Sequence, residues 1–285
     1  TSDASKIISA LNKLGKIMDK QIAAGKFKYD SGTEDIHSYI ESEVTRLAGR
    51  EAGAKMHTAR SRNDQVSLDM RLYIRQDAGQ MAALLDKLCG ALNKTAQKNG
   101  KVIMPGYTHM QVAKPIKFKD HLGAYVEMFG RDISRLKDCS KRLNYSPLGA
   151  GAIGGTSFNV DRHFTAKQLK FAGVMNNLID AVSDRDFVLE YVFCLSMIMM
   201  HLSRLSEDLI LWLTNEFGFA SLDESFMTGS SLLPQKKNPD MCELTRGKTG
   251  SVYGDLMCLL TVMKGLPLSY NRDMQEDKKA LFDSC

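Results

Sequence analysis

Apolar residues recur every three or four positions over much of this chain, the spacing of one face of an α-helix. Ile7, Ile8, Leu11, Leu14 and Ile17 predict a helix over 1–28. Ser31-Gly32-Thr33 reads as a turn. Thr33-Glu34-Asp35 reads as the cap of a second helix reaching about Leu47, and 49–55 as a loop. From about Gln65 to Asn99 the pattern is strongly helical, with Met81, Leu84, Leu85, Leu88 and Leu92 on one stripe and Asn99-Gly100 as the stop. At about 1.5 Å per residue that helix is roughly 50 Å long, beyond an ordinary globular helix. A second long helix is expected from near Pro115, through Phe118, Leu122, Tyr125, Val126, Phe129, Ile133 and Leu136, ending before Pro147. A third runs from about Asp184 to Phe217 with Gly218 as its stop. It is apolar on nearly every side, so it belongs inside a bundle. A fourth opens with Asn238 as N-cap, Pro239 at the first helical position and Asp240 in the first turn, and continues to about Lys264. No alternating strand pattern of useful length, internal repeat or low-complexity segment stands out. The expected class is all-α, a bundle of long helices.

Composition agrees with a packed core. The chain has 285 residues, 44% hydrophobic and 25% charged, which excludes a disordered or fibrous protein. Its six prolines leave 1–104 and 148–233 free of helix breakers. The net charge of +5 is spread along the chain, with no basic cluster of the kind that binds nucleic acid. A mild positive excess equally suits a small anionic substrate. Six scattered cysteines form no CxxC pair and no zinc spacing, so neither metal nor cofactor is expected and the thiols read as reduced, in the cytoplasm. The longest strongly apolar stretch, Tyr191–Met200, is short for a membrane span and reads as a core helix. No signal-peptide pattern opens the sequence. Thr1 is not an initiator Met, so a fragment or a processed chain is expected.

Two glycine patterns mislead. Gly149-Ala150-Gly151-Ala152-Ile153-Gly154 matches GxGxxG, but a polar helix and Pro147 precede it where a dinucleotide site needs a strand. Gly247-Lys248-Thr249 looks like the end of a phosphate loop, but Cys242 stands where the first glycine belongs.

The chemistry is concentrated in three segments at the ends of the long helices: 57–65 (HTARSRNDQ), 104–111 (MPGYTHMQ) and 228–240 (TGSSLLPQKKNPD). Each is rich in groups that bind anions or move protons, which are costly to bury without purpose. In the third, Lys236 supplies a cation, Asn238 a neutral donor, and the following helix N-terminus favours negative charge beside Ser230 and Ser231. A capped loop with solvated lysines is the plainer reading of the same residues.

The segment 229–239 resembles the GSSxMPxKxNP signature of the fumarase/aspartase superfamily of elimination lyases, with Leu233 in the usual Met position. Residues 57–65 and 105–111 resemble the HTARSRNDQ and PGYTHxQ stretches of argininosuccinate lyases, and 270–278 their YNxDxQEDK segment. The resemblance implies a long-helix bundle of the fumarase/aspartase type. Residues 1–62 would be part of a small helical N-terminal domain and 63–285 the central bundle domain. Family members are longer at both ends, and their N-terminal part brings a substrate-contacting serine.

The implied reaction is β-elimination of argininosuccinate to arginine and fumarate. It needs a base for a proton next to a carboxylate, donors for the resulting aci-carboxylate, and an acid for the departing nitrogen. By resemblance Ser230 is the base, with Ser231 the alternative. Lys236 and Asn238 stabilise the intermediate, and His109 is the acid, oriented by Glu243. Asn63, Thr108, Tyr270, Gln275 and Lys278 would contact substrate, and Arg185 would meet a carboxylate. Ser61 and Arg62 adjoin Asn63 and share its surroundings. His163 and His201 read as structural, and His37 as either a cap or part of the site entrance. The resemblance further implies a homotetramer with three chains at each site. Two alternatives remain open: another lyase of the superfamily, acting on adenylosuccinate or fumarate, and a non-catalytic protein on the same scaffold, like the lens delta-crystallins.

Overall fold

A computed structural model describes residues 2–28 and 32–285. In chain order the helices are α1 (Ser2–Ala23), α2 (Ile36–Ala48), α3 (Arg50–Gly53), α4 (Arg62–Lys98), α5 (Phe118–Leu143), α6 (Arg162–Gln168), α7 (Leu178–Ser183), α8 (Asp186–Trp212), α9 (Asp240–Met263) and α10 (Asp277–Ser284). Between α4 and α5 lie strands β1 (Ile103–Thr108) and β2 (Gln111–Lys117). Two-residue strands β3 (Tyr145–Ser146) and β4 (Gly173–Val174) pair in parallel, and β5 (Thr228–Gly229) and β6 (Lys237–Asn238) antiparallel.

Helices α4, α5, α8 and α9 form an up-down-up-down bundle. At its lower end Arg71 of α4 reaches the carbonyl of Leu143, at the end of α5, at 2.9 Å, and pairs with Asp184, just before α8. At its upper end Phe118 at the start of α5 meets Trp212 at the end of α8, with ring centroids 5.8 Å apart. The core between them includes Ile74, Phe129, Leu136, Val188, Tyr191 and Leu259, each less than 2% exposed. Full burial of such side chains contributes roughly 1.5–3 kcal/mol each. Helix α8 is long and apolar enough by composition to cross a membrane, but its apolar residues are the centre of this core. Helices α1–α3 close over a smaller cluster around Ala10, Leu14 and Val44. Gly53 lets α3 approach α2, since a Cβ there would lie 2.4 Å from Thr45 Cα.

The bundle is as the periodicity predicts, with shifted boundaries. The first helix stops at Ala23 rather than 28. Asp35 caps the second, accepting the Ser38 N–H at 2.7 Å. The expected loop 49–55 contains α3. Helix α4 begins three residues before Gln65 because Ser61 and Asp64 form a capping box. Pro115 does not start a helix: it lies in β2, and α5 begins at Phe118. Pro239 itself is the N-cap of α9, with Asn238 drawn into β6. Part of the turn expected at 31–33 falls outside the described residues.

The hairpin β1–β2 corrects the reading that no strand is present. Pairing runs from Ile103↔Lys117 to Thr108↔Gln111, with a bulge at Gly106. A Cβ at Gly106 would sit 3.0 Å from Ile116 Cγ2 and from the Lys114 carbonyl, so the position has little room for a side chain. The strands show no apolar alternation because β1 carries Pro105 and Gly106, and β2 is mostly exposed.

Candidate active site

The upper end of the bundle carries two of the three chemistry-rich segments. The hairpin turn is made by His109 and Met110 alone, with φ of 55° and 58°. Two left-handed residues in a two-residue loop match the twist of antiparallel strands, but non-glycine side chains adopt that conformation under strain. The hairpin thus presents Thr108 and His109 exposed at its tip. Tyr107 anchors it, its ring 5.6 Å from Phe217 and 6.5 Å from Phe219. Beneath lies a cavity of 560 Å³ lined by His109, Lys114, His121, Asp208, Trp212 and Phe217, among others.

His121 and Asp208 escaped the sequence reading, because they lie inside regular helices. Asp208 Oδ2 meets His121 Nε2 at 2.6 Å and accepts the Tyr125 hydroxyl at 2.6 Å. Burial works against the Asp208 charge, yet these two hydrogen bonds and the nearby Arg204 hold its carboxyl below the usual range.

Within the third segment the loop 230–236 is closed at its base by β5 and β6 and by Thr228, whose hydroxyl donates to Asp240. Ser230 Oγ accepts the N–H groups of Leu232 at 3.2 Å and Leu233 at 3.1 Å. Negative charge developing on that oxygen therefore meets two oriented donors. Lys236 Nζ donates to Asn238 Oδ1 at 2.6 Å, holding cation and amide side by side. Lys236 and Glu243 line a second cleft of 660 Å³ against the end of α8. Among the described residues His109 and Glu243 form no hydrogen bond or ion pair with each other, and they line different cavities.

The first segment sits at the opposite end. Asn63 is in the first turn of α4, its Nδ2 donating to the Ala152 carbonyl at 3.1 Å. Asp64, fully buried, accepts N–H groups from Ser61 at 2.9 Å, Gly149 at 3.1 Å and Gly151 at 2.9 Å. The glycine-rich turn that mimics a nucleotide motif is thus a cradle for an internal carboxylate. Arg62 is consumed by His57, Gln65 and Glu41 at 3.0–3.1 Å. His37 bonds Gln65 through Nδ1 at 3.1 Å.

The C-terminal segment joins this lower end. Gln275 donates to the Tyr270 hydroxyl at 2.6 Å, and Lys278 to Asp277 at 2.9 Å. Burial depresses the pKa of His37, and the charges of Arg62, Arg60 and Lys278 around it add to the effect, against the pull of Asp35. Arg185 is 1% exposed and spent on Asp277, Nε to Oδ2 at 2.6 Å. It anchors α10 to the foot of α8, which corrects the expectation of an open carboxylate contact. His201 is structural, buried against Asp132 at 2.6 Å, while His163 is exposed on α6. Among the described residues, no group of three or more His, Cys, Asp or Glu is placed to hold a metal ion.

The expected site residues therefore fall into two sets. Asn63, Tyr270, Gln275 and Lys278 lie below, and Thr108, His109, Ser230, Lys236, Asn238 and Glu243 above. The 37 residues of α4 separate the first segment from the hairpin, by about 55 Å.

A family described as "Lyase" matches residues 1–254. The chain belongs to this lyase family. The chain is 58% identical over 264 residues to an argininosuccinate lyase of Trichlorobacter lovleyi, covering 93% of the chain and 57% of the relative. It is 56% identical over 282 residues to an argininosuccinate lyase of Geobacter metallireducens, covering 99% and 60%. The chain thus spans about three-fifths of the length of the curated relatives it matches. Among solved structures, EDDS lyase in complex with formate superposes with a TM-score of 0.84 at 28% identity, over all of this chain and 56% of that one. Class II fumarase from Schistosoma mansoni shares the fold, with a TM-score of 0.76 at 19% identity, over 99% of this chain and 67% of that one.

Proposed function

We propose that this chain belongs to a protein that splits argininosuccinate into arginine and fumarate by β-elimination. The observation that carries the proposal is 53–58% identity to argininosuccinate lyases over nearly the whole chain. Ser230 takes the proton next to the substrate carboxylate, aided by the two N–H groups on its oxygen. Lys236 and Asn238 stabilise the aci-carboxylate. His109 protonates the departing nitrogen, and Asn63, Thr108, Tyr270, Gln275 and Lys278 hold substrate.

The separation along α4 supports a site shared between chains. The lower set of one copy and the upper sets of others complete one site, and Glu243 of another copy orients His109. A homotetramer with three chains at each site satisfies this. Residues 1–62 belong to an N-terminal domain and 63–285 to the central bundle. The cysteines are free, which fits a reducing, cytoplasmic setting.

The test is to incubate the full-length protein with argininosuccinate and follow fumarate by ultraviolet absorbance. Ser230→Ala is expected to abolish turnover while leaving the oligomer intact. A folded tetramer that releases no fumarate overturns the substrate assignment. Substantial turnover by Ser230→Ala transfers the base role to Ser231.

A further inference from the structure

Arg60 is an anomaly at the lower end of the bundle. Its neighbour Arg62 spends its guanidinium on three partners, whereas the guanidinium of Arg60 makes no hydrogen bond or ion pair within the described residues, and its Nε is buried without a partner. Burial, together with the charge of Arg62, depresses its pKa, against the pull of Asp69, Asp64 and Glu41. A half-buried guanidinium with idle donors is unusual, because each unpaired donor has given up water and gained nothing.

Arg60 lines a cavity of 350 Å³ together with Thr58, Arg162 and Thr165. Arg162 is fixed there by its own bonds, Nε to the Leu148 carbonyl at 2.8 Å and one terminal nitrogen to the Met175 carbonyl at 2.9 Å. Its stem lies against Gly149, where a Cβ would come within 2.6 Å of Arg162 Cγ. The remaining nitrogen, Nη1, is uncommitted. The two carboxylates lining the cavity are already engaged. Asp64 accepts three backbone N–H groups, and Asp161 caps α6 by accepting the Phe164 N–H at 2.8 Å. Two guanidinium groups with donors to spare thus line one cavity.

We propose that this cavity is a binding site for a small oxyanion, held between Arg60 and Arg162. A carboxylate or a phosphate supplies the paired oxygens that guanidinium forks match. None of the residues assigned to substrate above lines this cavity, and the proposal does not depend on that assignment.

The experiment is calorimetric titration of the full-length protein, in its native assembly, with inorganic phosphate and with malonate. Ionic strength is held constant with chloride. Saturable binding of at least one of the two is expected, and whichever binds more tightly identifies the oxyanion as phosphate or carboxylate. Arg60→Met is expected to weaken that binding about tenfold or more. Arg60→Lys keeps the charge and loses the fork, so it falls between. Arg46→Met, which removes an exposed arginine elsewhere, is expected to bind as the parent does. Saturation by neither anion overturns the proposal. So does unchanged affinity in both Arg60 variants, or equal weakening by Arg46→Met. If Arg60→Met does not fold, Arg60→Lys alone decides.

Discussion

His37 and His57 sit where a positive charge is unwelcome. Burial lowers the pKa of both, and Arg62 and Arg60 nearby lower it further. The folded protein therefore holds their protons less tightly than the unfolded chain does. The resulting stability is fully present above the ordinary histidine value of 6.5 and is lost as pH falls through the depressed folded values. Both rings are expected to titrate below 6.5 in NMR experiments. The double variant His37→Asn/His57→Asn is expected to lose melting temperature less steeply than the parent as the solution is acidified below that point. A parallel decline in the two proteins would show that other groups control acid sensitivity. At this scale the residue types were legible and their partners were not. Arg185 and Arg62 look equally available in the sequence, yet each is engaged by an acid distant in the chain, Asp277 and Glu41. The role of Asp64 depends on the glycine turn 85 residues further on, which no local pattern announces.

Among the elements, the hairpin carries the clearest conformational cost. Met110 occupies a left-handed position that glycine adopts freely. Replacing it with glycine is expected to stabilise the fold by about 0.5–1 kcal/mol, seen as a higher melting temperature. An unchanged or lower value would mean that the Met110 side chain contributes more than its backbone loses. The long helices were legible because each buries an apolar stripe over many turns. The hairpin was not, since its order comes from pairing and from Tyr107 against Phe217 and Phe219 rather than from periodic burial. The proline signal at 115 was real, but it marked a strand just before a helix instead of the helix start.

At the scale of the whole molecule, the expected site residues occupy opposite ends of one chain. Asn63→Ala and Ser230→Ala are each expected to be inactive alone. When the two proteins are unfolded and refolded together, turnover is expected to return. Under the proposed shared site, in which each residue comes from a different copy, random assembly leaves on the order of a quarter of the sites with both residues intact. Activity that fails to return in mixed oligomers would mean that both residues of a site come from one chain. The motifs pointed to candidate site residues, but their division between two ends follows from the length of α4, which only the fold displays.

That length has a consequence for how the protein tolerates change. A loop absorbs an inserted residue by bulging outward. Within α4 the same insertion moves everything beyond it by about 1.5 Å and turns it by about 100°. The capping box at Ser61 and the hairpin beyond Lys98 are the two ends of one rigid shaft. Adding or deleting a residue midway would leave both ends folded but facing different directions. Substitutions along α4 are therefore a matter of packing, whereas changes of length in it are a matter of alignment between the two ends.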